Sequence, residues 1–206
     1  MEDLRDPGLE RLLARPHERS DAQLEAMRIH DAAREKPGAA SQERDAARIR
    51  AFRGDKLVAL DRDKAGFCYQ LCRANNARRI VEIGTSYGVV MRTEYEPGKA
   101  KAAREHFADA GLSRYIDLRE GDLRETLKQI DGPVDFVLVD IWIAMARPAL
   151  QLVASHLRPG AIVTCDNTEQ YRSDYTDYFA FINDPVNGFR TMTLPFDGGL
   201  EFSVRS

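Results

Sequence analysis

No apolar run in this 206-residue chain approaches the 18 or more residues needed to span a bilayer, and MEDLRDPGLERLL lacks the basic-then-apolar order of a secretory signal. A cytoplasmic protein with no membrane partner is expected. Positive charge is not in excess either. Thirty Lys and Arg against 33 Asp and Glu leave a formal net charge of -3, with the two signs interleaved, so the footprint of a nucleic-acid binder is absent. A small-molecule partner fits better. Cysteine is scarce: Cys68, Cys72 and Cys165 suit a reducing compartment as small buried hydrophobes. Cys68 and Cys72 share a helix face, but no further ligand is spaced beside them to complete a metal site.

What is present is enough apolar residue, 43%, for one substantial core with an appendage. Residues 1–54 read as an N-terminal helical extension, with apolar positions at intervals of three and four, broken at Pro37-Gly38. Residues 55–206 form the main domain. Its first helix lies in DKLVALDRDKAGFCYQLCRANNA and stops at Asn75-Asn76. From residue 79 onward, short β-branched runs alternate with amphipathic helices, which predicts an α/β fold with a mostly parallel, doubly wound sheet. Seven strand candidates follow in order: RRIVEI, VMRTEYE, YIDLRE, VDFVLVD, AIVTCDN, FRTMTLPF and LEFSVR. Between them fall helices in KAAREHFADAG, in DLRETLKQI with Asp122 as its cap, in ARPALQLVASHLRPG and in SDYTDYFAFIND. Only Asp197-Gly198-Gly199 separates the last two strands, too little for a parallel crossover, so an antiparallel C-terminal hairpin is predicted.

In EIGTSYG, Gly84 and Gly88 follow an apolar strand, where a missing side chain lets the backbone turn and approach a ligand. Two such glycines are equally compatible with an ordinary turn. Glu94, ending the next strand candidate, is placed like a carboxylate that accepts hydrogen bonds from ribose hydroxyls; the plain alternative is an exposed acid. Asp140 ends VDFVLVD, and Asp166-Asn167 ends AIVTCDN. If those strands are neighbours, three oxygen donors of a kind that suits Mg²⁺ or Ca²⁺ meet at the sheet edge. The bland reading is a helix cap and an Asp-Asn turn.

Together VEIGTSYG, TEYEP, REGD, VDFVLVD, LRPGAIVTCDN and LPFDGGLEFSVR, in this order from about Asp55 to Ser206, resemble the class I S-adenosylmethionine-dependent O-methyltransferases of the catechol and caffeoyl-CoA type. The resemblance implies a Rossmann-like sheet of seven strands with a reversed last strand. It implies S-adenosylmethionine lying over Glu82, Gly84, Thr85, Ser86, Tyr87 and Gly88, with Glu94 on the ribose and Asp122 by the adenine. Asp140, Asp166 and Asn167 match the family's divalent-metal ligands, and Asp140 is thereby drawn into catalysis and the cofactor site. In such enzymes the metal holds neighbouring oxygens of the acceptor and makes one hydroxyl acidic enough to take the methyl group. The small-molecule acceptor, and N-terminal helices that cover its pocket or pair two subunits as a homodimer, are likewise implied.

Two departures stand out. The family carries a lysine base three positions after the first metal aspartate; here that position is Ile143, which has no atom to accept a proton. The second is length. Arg79 to Glu94 spans 16 residues, roughly 14 to 18 short of a βαβ unit of about 30. Either the chain lacks the intervening helix, opening the cofactor pocket, or a segment belongs between Val89 and Val90; the second is favoured, and a wide gap between those alpha carbons would be its mark. A catalytically silent binding or dimerisation module is the alternative function that both departures favour.

Overall fold

The computed structural model describes residues 59–84, 91–94 and 97–206, together with 14, 18–23, 25–27, 29, 30 and 52; for 91–94 it describes the backbone. The chain falls into two compact units, Glu2–Ala59 and Leu60–Ser206. Within the first, residues 18–23, 25–27, 29 and 30 are helical, and the rings of His30 and Phe52 stack with centroids 3.9 Å apart.

The second unit begins with α1 (Arg62–Ala74), whose N-cap Asp61 accepts hydrogen bonds from the amides of Asp63 and Lys64. The remaining elements are β1 (Ile80–Ile83), β2 (Met91–Glu94), α2 (Pro97–Asp109), β3 (Leu118–Glu120), α3 (Leu123–Thr126), β4 (Val134–Val139), α4 (Ile143–Ala154), β5 (Leu157–Asp166), α5 (Thr176–Asn183), β6 (Phe189–Leu194) and β7 (Leu200–Arg205). They build one sheet of order β3-β2-β1-β4-β5-β7-β6, in which the five strands from β3 to β5 run parallel and β7 pairs antiparallel with both β5 and β6. Strand alternation assigns each face its cover. Val81, Ile83, Val137, Val139, Val163 and Cys165 pack with residues of α3, α4 and α5, whereas Phe136, Leu138 and Ile162 pack with Cys68, Leu71 and Cys72 of α1.

Several element bounds differ from the sequence reading, and the strand expected over YIDLRE is confined to Leu118–Glu120, with Tyr115 in a short 3-10 helix. The helix capped by Asp122 ends at Thr126, well before Ile130. Strand β5 starts at Leu157 and carries Arg158-Pro159-Gly160, because Val134 of the neighbouring strand pairs with Leu157 and the register shifts before Phe136. Helix α5 begins at Thr176 rather than Ser173.

β1 and β2 are parallel neighbours, Val81 opposite Met91 and Ile83 opposite Thr93, although only the seven residues Gly84 to Val90 join them. A parallel return ordinarily uses a dozen or more. This register asks the link to span little more than a strand spacing and two residues of rise, which seven residues can reach without a helix. The Val89–Val90 junction itself lies outside the described residues.

Candidate active site

Strand order reverses between β1 and β4, the switch point beside which α/β sheets bind ligands at their carboxyl ends. Ile83 lies opposite Val139, and Val139 opposite Cys165, so Gly84, Asp140 and Asp166 follow one another across three adjacent strand ends. The Asp140 amide donates to the Ile83 carbonyl at 2.9 Å, carrying the ladder one residue beyond β4. Gly84 has φ +91, and a Cβ there would come within 2.8 Å of the Asp140 carbonyl carbon. Its glycine is thus demanded by backbone packing against the neighbouring strand end as well as by any ligand.

Asp140 and Asp166 flank one buried cluster. Burial above all, then the nearby Asp166 and Asp140 carboxylates, pushes the Cys165 thiol well above its usual range. Burial first, then the adjoining Cys165 and the Asp140 and Asp166 carboxylates, raises Tyr175, which donates its hydroxyl to the Asp166 carbonyl at 3.0 Å. Asn167 adopts φ 56, a left-handed conformation that asparagine tolerates better than most residues. Its amide donates to Gly199, and the amides of Glu169 and Gln170 donate to Gly198, so the Gly198-Gly199 hairpin turn fastens the loop that bears Asp166 and Asn167.

A residue that the sequence reading passed over closes the site. Lys64 in the first turn of α1 donates from Nζ to Asp166 Oδ1 at 2.5 Å, with the two side chains 2% and 8% exposed. Asp166 Oδ2 accepts from Asn167 Nδ2 at 2.8 Å. Burial pushes the Asp166 carboxyl upward, opposed by the Lys64 ammonium and by the Asn167 amide. The one available signal was positional: Lys64 lies four residues before Cys68 and seven before Leu71, on the apolar stripe of its helix.

A cation held by Asp140, Asp166 and Asn167 needs oxygen lone pairs turned toward it. Each Asp166 oxygen accepts one hydrogen bond, Oδ1 from Lys64 and Oδ2 from Asn167, and keeps a second lone pair, so two aspartates and an asparagine of the type that suits a hard divalent ion stand at neighbouring strand ends. Among the described residues there is no cluster of three or more His, Cys, Asp and Glu side chains able to hold a metal.

The other expected positions divide. Glu82 is half-buried in β1, and Glu94 ends β2, its side chain outside the described residues. Thr85, Ser86, Tyr87 and Gly88 also lie outside them. Asp122 accepts from the Arg124 amide at 2.9 Å and forms an ion pair with its guanidinium; hydrogen bonds from the Arg124 side chain and amide hold its carboxyl down at about 2. That carboxylate caps a helix, leaving a role at the adenine to be tested. Ile143 opens α4 and packs against the core, offering no base. Of the aromatic residues near the site, Tyr175 is buried and Phe196 lies 5.4 Å from Phe67, whereas Trp142, two residues after Asp140, is 39% exposed.

Residues 44–168 match the family described as Methyltransferase domain. A catechol O-methyltransferase of Mycobacterium tuberculosis is 28% identical over 125 residues, covering 53% of this chain and 57% of that protein. The chain spans about half the length of the curated relatives it matches. Among solved structures, an O-methyltransferase from Bacillus cereus in complex with SAH superposes with a TM-score of 0.65 at 18% identity, covering 93% of this chain and all of that one. TomG from Streptomyces achromogenes, an O-methyltransferase in complex with SAM, gives 0.64 at 19%, covering 93% of this chain and 98% of its own. At these identities the structural likeness speaks for the fold.

Proposed function

The chain belongs to the methyltransferase domain family, and we propose that it moves a methyl group from S-adenosylmethionine to a hydroxyl of a small molecule at the carboxyl edge of β1, β4 and β5. The observation that carries this reading is the register that brings Gly84, Asp140 and Asp166 side by side at the switch point. A crevice there, with a tight glycine turn on one wall, suits a nucleotide-bearing donor. The complexes of its structural neighbours with SAH and SAM support the same donor here.

When bound, S-adenosylmethionine would supply an electrophilic sulfonium methyl, with the sulfur as its leaving group and the acceptor hydroxyl's proton lost to solvent. The chain contributes position and charge. The Gly84 turn and the backbone of Asp140 shape the donor side, and the exposed Trp142 ring offers an apolar platform for a planar acceptor. Asp140, Asp166 and Asn167 are the residues that would hold a divalent ion, which would supply the charge that makes an acceptor hydroxyl more acidic. Calorimetric titration of the full chain with S-adenosylmethionine tests the reading, followed by mass analysis of methyl transfer to catechols, flavonoids and acyl-CoA esters. Heat on titration and a methylated product are expected; absence of both sinks it.

A second reading, a silent binding or dimerisation module, draws on Ile143 and on the seven-residue link. It expects no heat with S-adenosylmethionine in any buffer.

A further inference from the structure

Tyr175 precedes α5 and packs its ring into the core cluster that holds Leu150 and Val163, where a phenylalanine would fill the same space. A hydroxyl buried there is costly unless it finds a partner. The partner it takes is the Asp166 carbonyl, nine residues back, at 3.0 Å. That carbonyl belongs to the peptide unit whose other end, the Asn167 amide, donates to the Gly199 carbonyl at 3.1 Å. One peptide, the one that joins Asp166 to Asn167, is therefore held at both ends, by the phenol on one side and by the hairpin turn on the other. The backbone between agrees. The Tyr171 amide donates to the Asn167 carbonyl and the Tyr175 amide to the Tyr171 carbonyl, both at 3.2 Å, so two successive turns bring the ring back to the strand end.

Rotation of this peptide would swing the two side chains apart, because it turns about ψ of Asp166 and φ of Asn167. The second angle is 56°, a left-handed value that a residue with a Cβ leaves readily for the broader right-handed and extended regions. We infer that Tyr175 is a positioning residue of the site: its hydroxyl fixes the peptide between Asp166 and Asn167, and with it the direction in which their side-chain oxygens face a divalent ion. The inference rests on the part of the methyl-transfer reading that gives those two residues to a cation. Tyr175 acts through the backbone alone, as an outer partner of the residues that would hold the ion. Tyr178 supplies the control. Its ring lies 5.8 Å from that of Tyr175, it is 1% exposed, and its hydroxyl has no hydrogen-bond partner among the described residues.

The test titrates Mn²⁺ into the full chain and reads free Mn²⁺ by electron paramagnetic resonance, for the wild type, Tyr175→Phe and Tyr178→Phe, each well below its thermal midpoint. Each substitution removes one oxygen and keeps the ring. Stoichiometric Mn²⁺ is expected on the wild type and, with matching affinity, on Tyr178→Phe, whereas Tyr175→Phe should bind about 10- to 100-fold more weakly. A merely structural role would not separate the two variants. Unchanged Mn²⁺ affinity in folded Tyr175→Phe, equal weakening in both variants, or no stoichiometric Mn²⁺ on the wild type overturns the assignment. Should Tyr175→Phe not fold, hydrogen exchange of the wild-type Asn167 amide decides: protection supports the clamp, and exchange as fast as in an open loop overturns it. Calorimetry with S-adenosylmethionine, with and without Mn²⁺, stands apart, since absence of heat in both sinks methyl transfer and leaves the Mn²⁺ comparison as it is.

Discussion

Gly84 and Asp140 meet backbone to backbone: a Cβ on Gly84 would lie 2.8 Å from the Asp140 carbonyl carbon and 3.1 Å from the alpha carbon of Ile141. No side chain there can move aside, and φ +91 is itself hostile to an L-residue. Gly84→Ala is expected to cost about 2–5 kcal/mol, from backbone strain and overpacking together. Urea denaturation with the slope held common to both proteins checks it.

Lys64 and Asp166 form one energetic unit. Removing either partner leaves a buried, uncompensated charge, so Lys64→Met and Asp166→Asn are each expected to cost about 3–5 kcal/mol. The double variant should lose clearly less than the sum. A double-mutant cycle measures the coupling, and additive losses would show that the pair does not interact.

Asp135 anchors the opposite end of the sheet. It accepts from the amides of Arg78 and Arg79 at 2.8 Å each and pairs with the Arg158 guanidinium, which also donates to Asn75. Burial raises its carboxyl, but Arg158 and the two amides outweigh that, and the net shift is downward from 3.8. A folded value below the unfolded one means a stabilisation fully present above about pH 4 and lost as pH falls through the folded value. Acid denaturation curves should show Asp135→Asn less stable at neutral pH and less sensitive to acid below pH 4 than the wild type.

Burial pushes Cys68 up to about 11 and Cys72 up to about 12. The three cysteines are free thiols. In the native protein at pH 8, labelling of Cys68 by a thiol reagent should be roughly a hundredfold slower than that of an exposed cysteine. In denaturant all three should react promptly. Absorbance of the released chromophore follows both.

The Gly198-Gly199 turn is expected to tolerate no side chain. A Cβ at Gly198 would lie 2.6 Å from Asn167 Oδ1, and one at Gly199 2.5 Å from Glu169 Cβ, both at positive φ. Either alanine variant should lose more than about 1 kcal/mol, read from the thermal midpoint, and should lower affinity at the site by displacing Asn167.

Local chemistry made much of this legible. VDFVLVD and AIVTCDN are apolar runs that end in acids, so their strands and the placing of Asp140 and Asp166 at carboxyl ends follow from the sequence. The same is true of the Asp122 cap and of the β6–β7 hairpin, each set by a few neighbouring residues. Element ends were less legible. Arg158-Pro159-Gly160 reads as a helix stop, yet it lies within β5, where pairing with β4 overrides local preference.

The sequence alone determined which residues could make strands and helices and which acids would end the strands, because periodicity and capping act over a few positions. It also determined that nothing proton-accepting stands at Ile143. Tertiary structure decided what those acids face. Lys64 reads as one more solvated charge in RDKAGF, and only the docking of α1 onto the sheet brings its ammonium to Asp166. Partners 102 residues apart are chosen by packing, and a pattern that repeats every three or four residues carries no record of them.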